Sequence, residues 1–158
     1  MLLAVISDSH LGAPSPWLES VYARHLARAD ALLHCGDITG RATWSFFLQH
    51  PNFHACLGNC DWDLGAELSP VVRFDLGDLS VAAMHGFGNR SGVGARAAEA
   101  LGPHAGLVCF GHTHQRHFST HAGFHLLNPG SLGEGSLALV RIEPGQALDC
   151  TFVDVELD

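Results

Sequence analysis

The chain has 158 residues, 47% hydrophobic and 15% charged, a balance that excludes a disordered polypeptide. Its formal net charge is −8, with eight arginines and no lysine, so no basic face is evident for wrapping duplex nucleic acid. This length builds one sizeable core and leaves little room for another, so a single domain over residues 1–158 is expected.

Residues 2–6 form an apolar run that reads as a buried strand and leads into Asp8-Ser9-His10. Residues 17–29 have helical periodicity, with Trp17, Val21, Tyr22 and Ala29 on one face and Pro16 suited to the first turn. A second strand over 30–35 ends in Gly36-Asp37, and a helix over 41–50 is stopped by Pro51. A third strand, 53–57, delivers Gly58-Asn59-Cys60-Asp61. This βαβαβ order implies parallel strands joined by helical crossovers.

The second half reads differently. Strands at 71–75 and 79–84 flank a hairpin turn at Leu76-Gly77-Asp78, and the second of them leads into His85-Gly86. A Gly-interrupted helix over 91–101 precedes a strand at 106–110 that ends in Gly111-His112-Thr113-His114. Residues 116–121 and 123–127 predict another hairpin, followed by Asn128-Pro129-Gly130-Ser131. Strands over 137–142 and 148–155 close the chain around Glu143-Pro144-Gly145. The architecture predicted is a single α/β sandwich of mixed sheets. Five cysteines without CxxC spacing read as free thiols in a reducing compartment. The apolar N-terminal run is too short for a signal-peptide core, and no run reaches the ~20 residues needed to cross a bilayer, so a cytoplasmic protein is expected.

Five apolar runs that each end in Asp, Asn or His point to strands converging on one polar site. Carboxylate, amide and imidazole donors are those accepted by Mn, Fe, Zn, Ni or Mg. Taken singly, each has an ordinary alternative: Asp8 and Asp37 as helix N-caps, Asn59 as a turn residue, His85 at a strand exit, His112 and His114 as surface imidazoles. His34 reads as a buried strand residue or as one orienting a ligand. His117, His121 and His125 read as a hairpin face or as contacts to the leaving group or substrate, and His25, His50, His54 and His104 as solvent or loop residues. Trp17, Trp44 and Trp62 read as core or rim packing, with Trp62, beside Asp61, also placed to border the cleft. Arg90 reads as a surface arginine or a phosphate clamp.

The ordered set D-x-H, G-D, G-N-x-D, H-G and G-H-x-H resembles the calcineurin-like metallophosphoesterases, over residues 4–131. The short chain, Cys60 and Asn128-Pro129-Gly130-Ser131 are most similar to the small prokaryotic phosphodiesterase branch. The resemblance implies a calcineurin-like sandwich of two mixed β-sheets flanked by helices, holding two divalent metal ions, with Mn preferred. Asp8, His10 and His114 would hold one ion; Asn59, His85 and His112 the other; Asp37 would bridge them, since two close dications need a shared anion. The implied reaction is hydrolysis of a small-molecule phosphodiester by a metal-bridging hydroxide, with Asp37, Asn59 and His85 as the catalytic set and Asn59 and Arg90 touching substrate. A phosphomonoesterase or protein phosphatase, or a scaffold with weak residual activity, are the alternatives, and self-association is left open. Two departures from the family matter. Cys60 stands where many members carry a general-acid His, and Phe87 where related small phosphodiesterases often carry another His.

Overall fold

The structure, a computed structural model, describes residues 1–157. In chain order, β1 (Leu2–Ile6) is followed by α1 (Pro16–Val21), a π-helical turn (Tyr22–Leu26), β2 (Ala31–His34), α2 (Arg41–Phe47) and β3 (Phe53–Ala55). β1, β2 and β3 are parallel, as the βαβαβ order predicts. Next come β4 (Val71–Leu76), β5 (Leu79–Met84), α3 (Val93–Leu101), β6 (Leu107–Phe110), β7 (Arg116–His121), β8 (Phe124–Pro129), β9 (Ser136–Arg141) and β10 (Asp149–Asp154). Both predicted hairpins, β4–β5 and β7–β8, are antiparallel. Two mixed five-stranded sheets result, ordered β10-β9-β1-β2-β3 and β4-β5-β6-β8-β7.

Both faces of the central strands are buried, which is why they read as continuous apolar runs. Along β1, Leu3 and Val5 face the second sheet and pack with Val81, Ala83, Leu107 and Cys109. Ala4 and Ile6 face outward against Leu18, Val21, Leu26 and Phe47 of the first sheet's helical layer. The same alternation sends Ala82 and Val108 outward against Val93, Ala97 and Leu101 of α3. Among the described residues, no helix is long and apolar enough to cross a membrane.

Three predicted bounds shift for physical reasons. The helix expected through Ala29 widens after Val21, where the Ala27 amide bonds the Tyr22 carbonyl at 2.8 Å. Leu18, Tyr22 and Leu26 recur every four residues and would drift off the face of a 3.6-residue helix; the wider turn restores them to the sheet. α2 stops at Phe47 and not at His50. His50 is no solvent residue: it turns inward, donates from Nε2 to the Ala29 carbonyl at 3.2 Å and accepts at Nδ1 from the Asn52 amide. β3 ends at Ala55 because the Leu57 amide is drawn away to the Ser69 carbonyl. His54, also expected at the surface, is half-buried and stacked on Phe74 at 3.7 Å between ring centroids.

Phe47 joins α2 to the sheet, fully buried against the rings of His34, Phe46 and Phe53. Phe47→Ala is expected to lower unfolding stability by about 3–5 kcal/mol. Leu48→Ala, at a 51% exposed neighbour, should stay within about 0.5 kcal/mol. Urea denaturation of the two variants checks the pair.

Candidate metal centre

Five strand ends feed one region. β1 leads to Asp8 and His10, β2 to Asp37, β3 to Asn59, Cys60 and Asp61, β5 to His85, and β6 to His112 and His114. Among the described residues, six non-glycine residues have positive φ, and five are candidate site residues: Asp8 (51°), His10 (49°), Asp37 (58°), His112 (68°) and His114 (59°). The left-handed region costs an L-residue about 1–2 kcal/mol, so the surrounding bonds must hold these loops. The Asp8 amide donates to the Gly36 carbonyl at 3.0 Å and the His10 amide to the Asp37 carbonyl at 3.1 Å. Two glycines let the loops close up. A Cβ on Gly58 would collide with the Asp37 amide and Oδ1, and one on Gly111 with Ser7 Oγ.

Asp61 does not aim at the cluster. Its carboxylate accepts three backbone N–H groups, from Gly58 at 2.7 Å, Asp37 at 2.9 Å and Thr39 at 2.8 Å, and so ties the β3 loop to the β2 loop.

The proton positions of three imidazoles follow from their partners. A carbonyl only accepts, so His85 must donate from Nδ1 to Cys35 O at 2.8 Å. In its neutral form, Nε2 is then a bare lone pair, 3.3 Å from Asp37 Oδ2 and 3.0 Å from Asn59 Oδ1. His112 donates from Nε2 to Gly88 O at 3.0 Å, leaving Nδ1 facing Asn59 Oδ1 at 3.0 Å. His114 donates from Nδ1 to Glu134 Oε1 at 2.8 Å, leaving Nε2 facing Asp8 Oδ1 at 3.2 Å. His10 Nε2 lies 3.8 Å from Asp8 Oδ1 and 3.7 Å from Asp37 Oδ2. All seven candidate residues are thus gathered, with electron-rich atoms turned toward one another.

Asp8 Oδ1 is buried there without a hydrogen-bond partner, whereas its Oδ2 accepts from Ser7 Oγ at 2.5 Å and the His112 amide at 3.2 Å. A buried, unpaired carboxylate oxygen is costly unless a cation compensates it. Burial disfavours the charged form of His85, but its hydrogen bond to Asp37 and the charges of Asp8 and Asp37 outweigh that and raise its pKa. Burial pushes Asp37 up, yet hydrogen bonds from His85 and the Cys60 amide hold it below the ordinary carboxylate range. Among the described residues, three groups each bring their potential ligand atoms within 4.8 Å of one another: Asp8, His10 and His114; Asp8, Asp37 and His85; and His10, Asp37 and Cys60. The donor types and the orphaned oxygen fit divalent cations.

Around the cluster, His34 is buried with Nε2 2.9 Å from Ser9 Oγ, and burial with the charge of His85 pushes its pKa down to about 3. Burial and the nearby Asp37 push the Cys60 thiol up to about 11. Arg90 lies exposed on the loop after His85. Arg96, unmarked in the sequence, braces that loop by donating to the Phe87 and Asn89 carbonyls, each at 2.7 Å. Trp62 is 88% exposed and so is not core. His117 and His121 lie exposed on β7, both bonded to Ser119, and His125 stacks on Phe118. Glu134, the partner of His114, is likewise unmarked in the sequence apart from the Ser131-x-x-Glu134 spacing of a helix start.

The model of the calcineurin-like phosphoesterase superfamily domain matches residues 1–144, and the chain belongs to that superfamily. It is 28% identical over 141 residues to the probable metallophosphoesterase YsnB of Bacillus subtilis, covering 84% of this chain and 75% of that protein. Solved structures share the fold, among them the following two. Vps29 of Chaetomium thermophilum has a TM-score of 0.72 at 18% identity, over 98% of this chain and 99% of its own. A novel archaeal phosphodiesterase has a TM-score of 0.70 at 18% identity, over 97% of this chain and 100% of its own.

Asp61→Ala would strand three amides at once. It is expected to lower unfolding stability by about 3 kcal/mol, read by urea denaturation; a loss under about 1 kcal/mol would mean the carboxylate does not organise these loops.

Proposed function

We propose that this metallophosphoesterase is a phosphodiesterase working with two divalent ions, manganese best. Asp8, His10 and His114 are assigned to one ion, Asn59, His85 and His112 to the other, and Asp37 to both. The observation that carries the reading is the orphaned Asp8 Oδ1 among imidazole lone pairs, an arrangement that positive charge satisfies. When bound, two such ions supply Lewis acidity, generating hydroxide near neutral pH and offsetting charge on the phosphoryl oxygens.

The chain's own residues supply position. Cys35 fixes the His85 ring, Glu134 the His114 ring and Gly88 the His112 ring, so each nitrogen is oriented before any ligand arrives. The Cys60 amide, at 2.7 Å from Asp37 Oδ1, holds that carboxylate's second oxygen toward His85 and His10. Asn59 and Arg90 are assigned to contact the phosphoryl oxygens. Cys60, with its thiol pushed up to about 11, is a poor proton donor to a leaving alcohol at neutral pH. Substrates whose alcohol leaves without help are therefore favoured, and the substrate proposed is a diester. The fold shared with an archaeal phosphodiesterase agrees. Five free thiols support a cytoplasmic setting.

The test is hydrolysis of a series of aryl diesters and the matching monoesters with added Mn²⁺, before and after chelation. Diesters should be cleaved about tenfold faster or more, chelation should abolish turnover, and log rate should fall steeply with leaving-group pKa, with Cys60→Ser close to the parent. Faster monoester cleavage would contradict the diester reading. A flat plot, or a ~100-fold loss in Cys60→Ser, would show that an acid operates at this position.

A further inference from the structure

A cavity of about 590 Å³ adjoins the cluster and shares His10 and His114 with it. Its size lies in the range of small-molecule sites. The far wall is apolar, formed by Leu11, Trp17 and Leu157, the last 56% exposed with nothing of the described chain covering it. Trp17 is held in place: its indole Nε1–H donates to the Glu156 carbonyl at 2.7 Å, and its half-buried body packs on the outer core of the first sheet. The ring is therefore a rigid wall, not a swinging side chain.

Charge narrows the occupant. Among the described residues, no arginine lines the cavity and the one carboxylate in the lining is Glu134, whose Oε1 accepts from His114; the chain has no lysine. A second phosphate or a carboxylate at the far wall would meet this negative charge with no arginine or lysine side chain to compensate it. The Ser15 hydroxyl accepts from the Leu18 amide at 3.2 Å and keeps its own hydrogen to donate. The lining thus suits a flat, weakly polar group that can lie on an indole.

We propose that this cavity holds the second ester group of the substrate and selects a flat, uncharged aromatic group there. The proposal rests on the phosphodiesterase reading and adds to it the class of substituent. Because His10 and His114 belong to both places, the cavity opens directly beside a phosphorus bound at the cluster. Anionic substituents, such as a terminal phosphate, are disfavoured by Glu134.

The test is calorimetric binding of diphenylphosphinate and dimethylphosphinate to the metal-loaded protein. The two anions carry the same charge and have no ester bond to hydrolyse. The diphenyl compound should bind about tenfold tighter or more. That ratio should fall to about two in Trp17→Ala, survive in Trp17→Phe, and fall several-fold in Leu157→Ser, whose exposed position spares the fold. A ratio near one in the parent protein, no binding of either compound, or a ratio unchanged in Leu157→Ser and Trp17→Ala would overturn the proposal. The phosphodiesterase reading fails separately: a protein that shows the aromatic preference yet cleaves no aryl diester keeps the subsite and loses the activity.

Discussion

The structure turns on one electrostatic constraint. Lone pairs from two carboxylates, an amide oxygen and four imidazoles are brought together at the ends of five strands, and Asp8 Oδ1 is buried among them with no donor. Without a cation, protonated imidazole is what relieves this crowding, and the raised pKa of His85 reports that demand despite its burial. The rest of the fold can be read as the scaffolding that keeps these atoms from moving apart. Parallel strands bring their ends to one edge, helices cover the outer sheet faces, and the apolar core between the sheets fixes how closely the two edges approach.

Holding such a cluster has consequences for the backbone. Five candidate residues sit in the left-handed region, a combination that would unravel in a loose loop. Asp61 counters this by binding three amides with one carboxylate, and Gly58 and Gly111 permit approaches that no Cβ would allow. The imidazoles are held from behind, by Cys35, Gly88 and Glu134. Side chains with free rotation could turn away from one another; these are fixed before any cation arrives.

Much of this was legible in the sequence because each strand is buried on both faces and terminated by a polar motif. Leu2–Ile6, Ala31–His34 and Leu107–Phe110 announce themselves as apolar runs, and the motifs after them give the order in which donors reach the edge. What lay outside local sequence was partnership at long range. Nothing near Glu134 says that it meets a histidine twenty positions earlier, and nothing near Arg96 says that it braces the loop carrying Phe87. The inward turn of His50 depends on the Ala29 carbonyl, and the π-helical turn on how Tyr22 and Leu26 meet the sheet. Periodicity identifies a helix but does not register one extra residue in a turn.

The central claim is that the cluster is a shared, two-cation site organised by Asp37. Elemental analysis of protein reconstituted with Mn²⁺ and freed of excess metal tests it most directly, for the parent chain and for Asp37→Asn and His114→Ala. The account predicts two ions per chain in the parent, about one in His114→Ala and fewer than one in Asp37→Asn. A single ion in the parent chain, or two retained in Asp37→Asn, would contradict it.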